Sequence, residues 1–217
     1  KMQLETEVAR LKLVKSNYIS EHYRLEDELY KRLPLQLKKC REEIEQLKED
    51  VKIIEENSIS EDDFSIVLNG RSFDKKKEAG EEIINTALKG SSGVIGSYMG
   101  FDIKVKKDFN EMTGVSFSLI VCGSGSYTTE LGTDPLGTVM RLNNLIRKLP
   151  EKLAAKVEFE KTLESRIRNT EIQLKKPFEK EAELQEKMAR LNELNILLEP
   201  APETGQSDRY GEEDIEL

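Results

Sequence analysis

The chain has 217 residues, 35% of them charged and 6% aromatic, with no tryptophan and a net charge of −8. That much charge with so few aromatics does not suit a compact globule of this length; it suits long exposed helices with one narrow apolar seam. A net acidic chain is not a bulk nucleic-acid binder, so any contact with DNA has to come from a local basic patch.

Residues 1–57 predict a helical arm. Leu4, Val8, Leu11, Tyr18, Leu25 and Leu29 recur at steps of four and three, with Lys15 and His22 filling the remaining seam positions. Leu33, Leu37, Cys40, Ile44, Leu47, Val51 and Ile54 continue the pattern more cleanly. Heptad spacing of this kind argues for a coiled coil. The step from Leu29 to Leu33 is four where three is due, a stutter that unwinds a supercoil locally. Pro34 lies at the same place and removes a backbone donor, so a break is expected near 34. Lys1 already falls inside the helical pattern, which points to a piece of a longer chain.

Residues 58–135 change period and predict a small α+β domain. Phe64, Ile66 and Leu68 alternate with polar neighbours, and Asn69-Gly70 is a strong hairpin signal leading into a strand at 71–73. Asp74 is placed to cap a helix over 75–88 with Ala79, Ile83, Ile84, Ala87 and Leu88 inward. Alternation then returns at 101–106, 115–122 and 127–131. The predicted order is β-β-α-β-β-β, an antiparallel sheet with one face covered.

Residues 136–198 return to helical period as a second arm with 13 basic and 10 acidic residues, Pro150 and Pro177 marking breaks. Residues 199–217 carry 1 basic and 7 acidic residues without periodicity and predict a disordered tail. Helix, small domain, helix is the order of an antiparallel helical coiled-coil stalk with the small β-β-α-β-β-β domain inserted at its tip. The fold class is therefore α+β.

The glycines of "GSGSYTTELGTDPLG" invite comparison with a phosphate loop, but the lysine that a Walker loop requires does not follow them. Asp134-Pro135 reads better as a helix start with proline in the first turn, and Thr138 is a second candidate cap. The stretch is a joint between sheet and helix. His22, the one histidine, occupies a seam, and the two cysteines have no metal-ligand spacing. Distant cysteines in unlike contexts predict free thiols and a cytoplasmic setting. No apolar run approaches the ~18 residues of a membrane span, so no membrane partner is expected. No catalytic, metal or cofactor residues are assigned. What is left is charge. Lys31, Arg32, Lys38, Lys39 and Arg41 surround Pro34, and Arg141, Arg147 and Lys148, with Lys152 beyond, lie on the helix leaving the sheet. These are the candidate contacts to DNA phosphates, since such contact needs clustered Lys and Arg rather than a motif.

The run "FDIKVKKDF…FSLIVCGSGSYTTELGTDPLGTVMRLNNLIRKLPEKL", the upstream "IGSYMGF" and the later "KKPFEKEAELQEKMARLNELNILL" together resemble the C-terminal region of very large proteins of bacterial conjugative and related mobile elements. Those proteins join an adenine-specific DNA methylase to a Swi/Snf-like DEAD/DEAH helicase motor. "LKLVKSNYISEHYRLEDELYKRLP" looks like the helical stretch after the second motor lobe. The methylase signature, the Walker loop and the helicase acidic box are absent from these 217 residues. The resemblance thus implies a non-catalytic accessory module without a cofactor of its own, S-adenosylmethionine and ATP with magnesium belonging to the parent. It implies DNA and the rest of the parent chain as partners. The alternative is an oligomerisation or protein-interaction coiled coil that does not touch DNA.

Overall fold

The computed structural model describes residues 1–57, 63–90, 93–110 and 114–198; the tail of 199–217 lies outside the described residues. Helix and sheet are mixed in the order α1 (Met2–Asp27), a π-turn (Glu28–Arg32), α2 (Leu33–Glu56), β1 (Ile66–Leu68), β2 (Arg71–Phe73), α3 (Lys76–Leu88), β3 (Gly93–Tyr98), β4 (Phe101–Asn110), β5 (Gly114–Cys122), β6 (Ser126–Glu130), α4 (Pro135–Arg147), α5 (Leu149–Leu174) and α6 (Glu181–Leu198). The chain forms two compact units. One is Asp27–Ile172; the other combines Lys1–Glu26 with the described residues from Gln173 to Leu198.

The larger unit holds a six-stranded sheet in the order β2-β1-β3-β4-β5-β6, antiparallel at every pair. It has one strand more than the alternation predicts. The addition is β3, whose sequence "GVIGSY" reads as a glycine-rich loop. Its Gly96 is a packing requirement: a Cβ there would stand 1.9 Å from the carbonyl oxygen of Val67 on β1. A register shift between Val94 and Gly96 also breaks the simple alternation that a sequence reading relies on. Two hairpins close with both turn residues at positive φ, Asn69-Gly70 (50° and 76°) and Met99-Gly100 (50° and 80°). The first carries the expected residues; the second puts a methionine where asparagine is usual.

One sheet face is covered. Phe101, Ile103, Val105, Leu119 and Val121 are buried against Ala79, Ile83 and Ala87 of α3 and Val139, Leu142 and Ile146 of α4. The two helices close on each other at Gly80, where a Cβ would meet the Pro135 carbonyl oxygen at 2.1 Å. The other face presents Ser97, Asp102, Lys106 and Thr128 to solvent. One of the two expected caps differs. The cap of α3 is Lys75, with no side-chain bond, rather than Asp74. At α4, Asp134 does cap, accepting from the Gly137 N–H at 2.6 Å. Thr138 is buried inside that helix, where its hydroxyl donates to the Asp134 carbonyl at 2.9 Å.

Within the same unit, Leu33, Cys40 and Ile44 of α2 pack with Leu163 of α5. Ion pairs cross to α5 in opposite sequence directions: from α2, Glu43 to Lys156 (2.5 Å) and Arg41 to Glu160 (2.6 Å) and Glu164 (2.9 Å), and from the π-turn, Glu28 to Arg166. At Pro34 the helix does not break. The π-turn just before it, closed by the Leu33 N–H to the Glu28 carbonyl, takes up the one extra residue of the stutter. Leu29 and Leu33 are therefore both buried, and Pro34 stands in the first turn of α2, where a missing N–H does least harm.

The smaller unit pairs the first part of α1 with α6. Val8, Leu11 and Leu184 are its buried apolar residues, with Met188 and Leu191 beside them. Lys15, a seam residue by sequence, reaches Glu181 at 2.7 Å, and Lys187 reaches Glu7 at 2.8 Å. His22 contacts the Leu174 carbonyl through Nε2 at 3.0 Å and Glu26 through Nδ1 at 3.4 Å. The hydroxyl of Tyr18 donates to the Lys176 carbonyl at 2.7 Å, and its ring packs on Phe178 at 5.4 Å.

Candidate functional site

The turn between β5 and β6, "CGSGS", is where the glycines find their use. Asp50, on α2, is fully buried against it. One carboxylate oxygen accepts from the Ser124 N–H at 2.6 Å; the other accepts from the Gly125 N–H at 2.9 Å and from the Tyr127 hydroxyl at 2.5 Å. Successive backbone N–H groups curved round an anion form a nest, and the anion here is the protein's own. Both glycines are needed for space. A Cβ on Gly123 would lie 2.2 Å from Asp50 Oδ1, and one on Gly125 would lie 2.6 Å from the Tyr127 hydroxyl. Beside the nest, the Ser124 hydroxyl donates a hydrogen bond to the Glu49 carboxylate. Burial, followed by the hydrogen bond to Asp50 and that residue's charge, raises the Tyr127 phenol far above the usual tyrosine range. Sequence reasoning took the turn for a joint but left its partner unassigned. An aspartate flanking the apolar seam, at the position before Val51, was the available signal.

The same logic disposes of "RLNN". Tyr98 on β3 donates to Asn143 Oδ1 at 2.9 Å, and Arg147 Nε reaches the same oxygen at 3.2 Å. Arg141 turns back over Gly132, donating to the Glu130 carbonyl and to the Thr138 hydroxyl, both at 3.3 Å. It is half-buried and fastens the loop after β6 to α4.

The eight candidate phosphate contacts thus have different situations. Lys31 and Arg32 are exposed but share Asp27, at 2.8 and 3.2 Å, and the hydrogen bond from Lys31 holds that carboxyl below its ordinary value. Arg41 is committed to Glu160 and Glu164. Lys38 is 76% exposed, with Glu42 at 4.0 Å. Lys39, Arg147 and Lys148 are exposed. Among the described residues, Lys39 and Lys148 make no ion pair.

Two more lysines, Lys152 and Lys156, lie on α5. Lys152 N–H bonds the Lys148 carbonyl at 3.0 Å, which ties the first turn of α5 to the C-cap residue of α4. The Lys152 ammonium stands 4.7 Å from the centre of the Tyr127 ring. Lys156, bonded to Glu43, lowers that carboxyl, and the charges of Lys39 and Lys152 add to the effect. The two cysteines are free thiols; Cys40 is buried and its thiol pushed up by that burial. Among the described residues, no helix is long and apolar enough to cross a membrane.

No protein-family model matches the chain, and neither a curated protein nor a solved structure shows significant similarity to it.

Proposed function

We propose that the chain is a non-catalytic accessory module of a mobile-element DNA methylase–helicase protein, positioning DNA or a partner protein relative to the motor. In this reading the two helical arms are an antiparallel coiled-coil stalk and the α+β domain is its tip. The observation that carries it is the contrast between groups bound within the chain and groups left at its surface. Asp50, Tyr127, Arg41 and Arg141 are each used in holding elements together, as structural rather than reacting groups are. Lys38, Lys39 and Lys148 are held out to solvent, as backbone-phosphate contacts are.

A second reading, self-association without DNA, is favoured by the outer face of α1. Met2, Thr6, Ala9, Leu13, Ser16, Ser20 and Tyr23 recur at steps of four and three, are all exposed and include no charge, which is how an unfilled seam looks. Fluorescence anisotropy with a duplex and a single strand, at ~50 and ~200 mM salt, separates the two. Binding at the lower salt that collapses at the higher one is expected. No binding at ~50 mM salt, with a dimer by light scattering, would overturn the DNA reading in favour of the second.

A further inference from the structure

α1 carries two heptad seams on opposite sides. One is filled: Val8 and Leu11 are buried with Leu184 of α6. The other runs through Met2, Leu13 and Tyr23, is exposed along its whole length and holds no charged residue. Those three side chains are 77, 62 and 67% exposed. The solvent side of a helix normally carries charge. The residues that flank this seam decide what can fill it. With Thr6, Leu13 and Ser20 at a positions and Ala9, Ser16 and Tyr23 at d, the g positions are Glu5, Lys12 and Ile19, and the e positions are Arg10, Asn17 and Arg24. Glu5 is held only loosely, by Lys1 at 3.9 Å, and Arg24 is bonded to Glu21. Among the described residues, Arg10 and Lys12 make no ion pair.

We propose that α1 pairs in parallel with α1 of a second copy of this chain through the open seam, with Glu5 of each copy bridged to Arg10 of the other. In a parallel pair each g residue faces the e residue of the next heptad across the seam. Glu5 then meets Arg10 of the second copy, and symmetry makes that contact twice. Lys12 meets Asn17, and Ile19 lies along the apolar stem of Arg24. No like charges face each other. Antiparallel pairing sets g against g and e against e. With the seams fully overlapped, Glu5 comes against Glu26 of the second copy. A slip of one heptad in either direction sets Arg10 against an arginine, Arg10 or Arg24. Like charges so placed are destabilising. Serine and threonine at seam positions fix the register at a cost in stability, so the dimer is weak and depends on concentration. The inference rests on the self-association reading of the α1 face and holds whether or not the chain also meets DNA.

The test is sedimentation equilibrium of the full chain at up to roughly 0.5 mM, a range that populates weak dimers. A monomer–dimer equilibrium is expected. Leu13→Lys, which puts a charge into the seam at a position exposed within the chain, should weaken it by about tenfold or more. Glu5→Arg should weaken it by about tenfold, because two attractive contacts become repulsive. Combining Glu5→Arg with Arg10→Glu should restore it, since the bridge re-forms with its signs exchanged; a variant that had lost its fold would not recover. A dimer that Leu13→Lys leaves unchanged overturns the seam and assigns self-association to another surface. A dimer lost in Leu13→Lys but strengthened by Glu5→Arg overturns the parallel orientation, because that is the sign antiparallel pairing gives. A chain that stays monomeric at every concentration overturns the proposal and the self-association reading together.

Discussion

The sheet of the larger unit and the α1–α6 pairing of the smaller one are both helped by polar contacts, but they use them differently. Around the sheet, Phe101, Ile103, Leu119, Val139, Leu142 and Ile146 are closed to solvent, and a buried carboxylate adds three hydrogen bonds where α2 meets the β5–β6 turn. In the α1–α6 pairing only Val8, Leu11 and Leu184 are buried, and the cross-helix ion pairs are a third or more exposed on at least one side. Exposed pairs contribute little. The difference teaches where specificity lies. The sheet unit is defined by groups that admit no substitute; the helical pairing is defined by a short apolar contact that charges merely keep in register.

The largest effect should come from removing the buried carboxylate. Asp50→Ala leaves two N–H groups and a phenol without an acceptor in a closed site, which costs about 3–5 kcal/mol. Hydrogen exchange read by segment should show β5 and β6 losing protection. Unchanged protection there would mean that the nest is incidental. In the helical pairing, Leu184→Ala deletes one of three buried side chains, 2% exposed, at a cost of about 2–3 kcal/mol. The lower figure reflects a rim open enough to relax. Faster exchange should be confined to α1 up to Glu26 and to α6; spread into β4 and β5 would show that the two kinds of interior are not separate.

This contrast also explains what could be read from sequence. Heptad spacing in α2, the Asn69-Gly70 turn, alternation in β4 and β5, and the Asp134-Pro135 start of α4 are local signals, and each is set by residues adjacent in the chain. β3 was missed because its glycine is explained only by Val67, a residue of another strand. The π-turn was read as a break because Pro34 forbids one hydrogen bond without saying which alternative closes instead. Asp50 was passed over because its three partners lie more than 70 positions away. The basic residues were legible as types and not as situations: nothing near Arg141 in sequence announces that it folds over Gly132, whereas Lys152 looks ordinary until Tyr127 and Glu43 are brought beside it.

The smallest effect is the most discriminating about the nest. Tyr127→Phe keeps the ring that packs in the core and lies under Lys152, and removes only the hydroxyl that Asp50 accepts from. About 1 kcal/mol should be lost at neutral pH, the net value of one hydrogen bond. The folded-state phenol is raised above its unfolded value of about 10, so its contribution is fully present below that pH and is lost as pH rises beyond it. Urea unfolding of both proteins at pH 7, 9 and 10.5 should therefore show a constant gap between the first two and a narrower one at the third. Lysine deprotonation affects both proteins alike and cancels in the comparison. A gap that stays the same at every pH would mean that the phenol ionises as freely in the fold as out of it, and that Asp50 is held by the two backbone N–H groups alone.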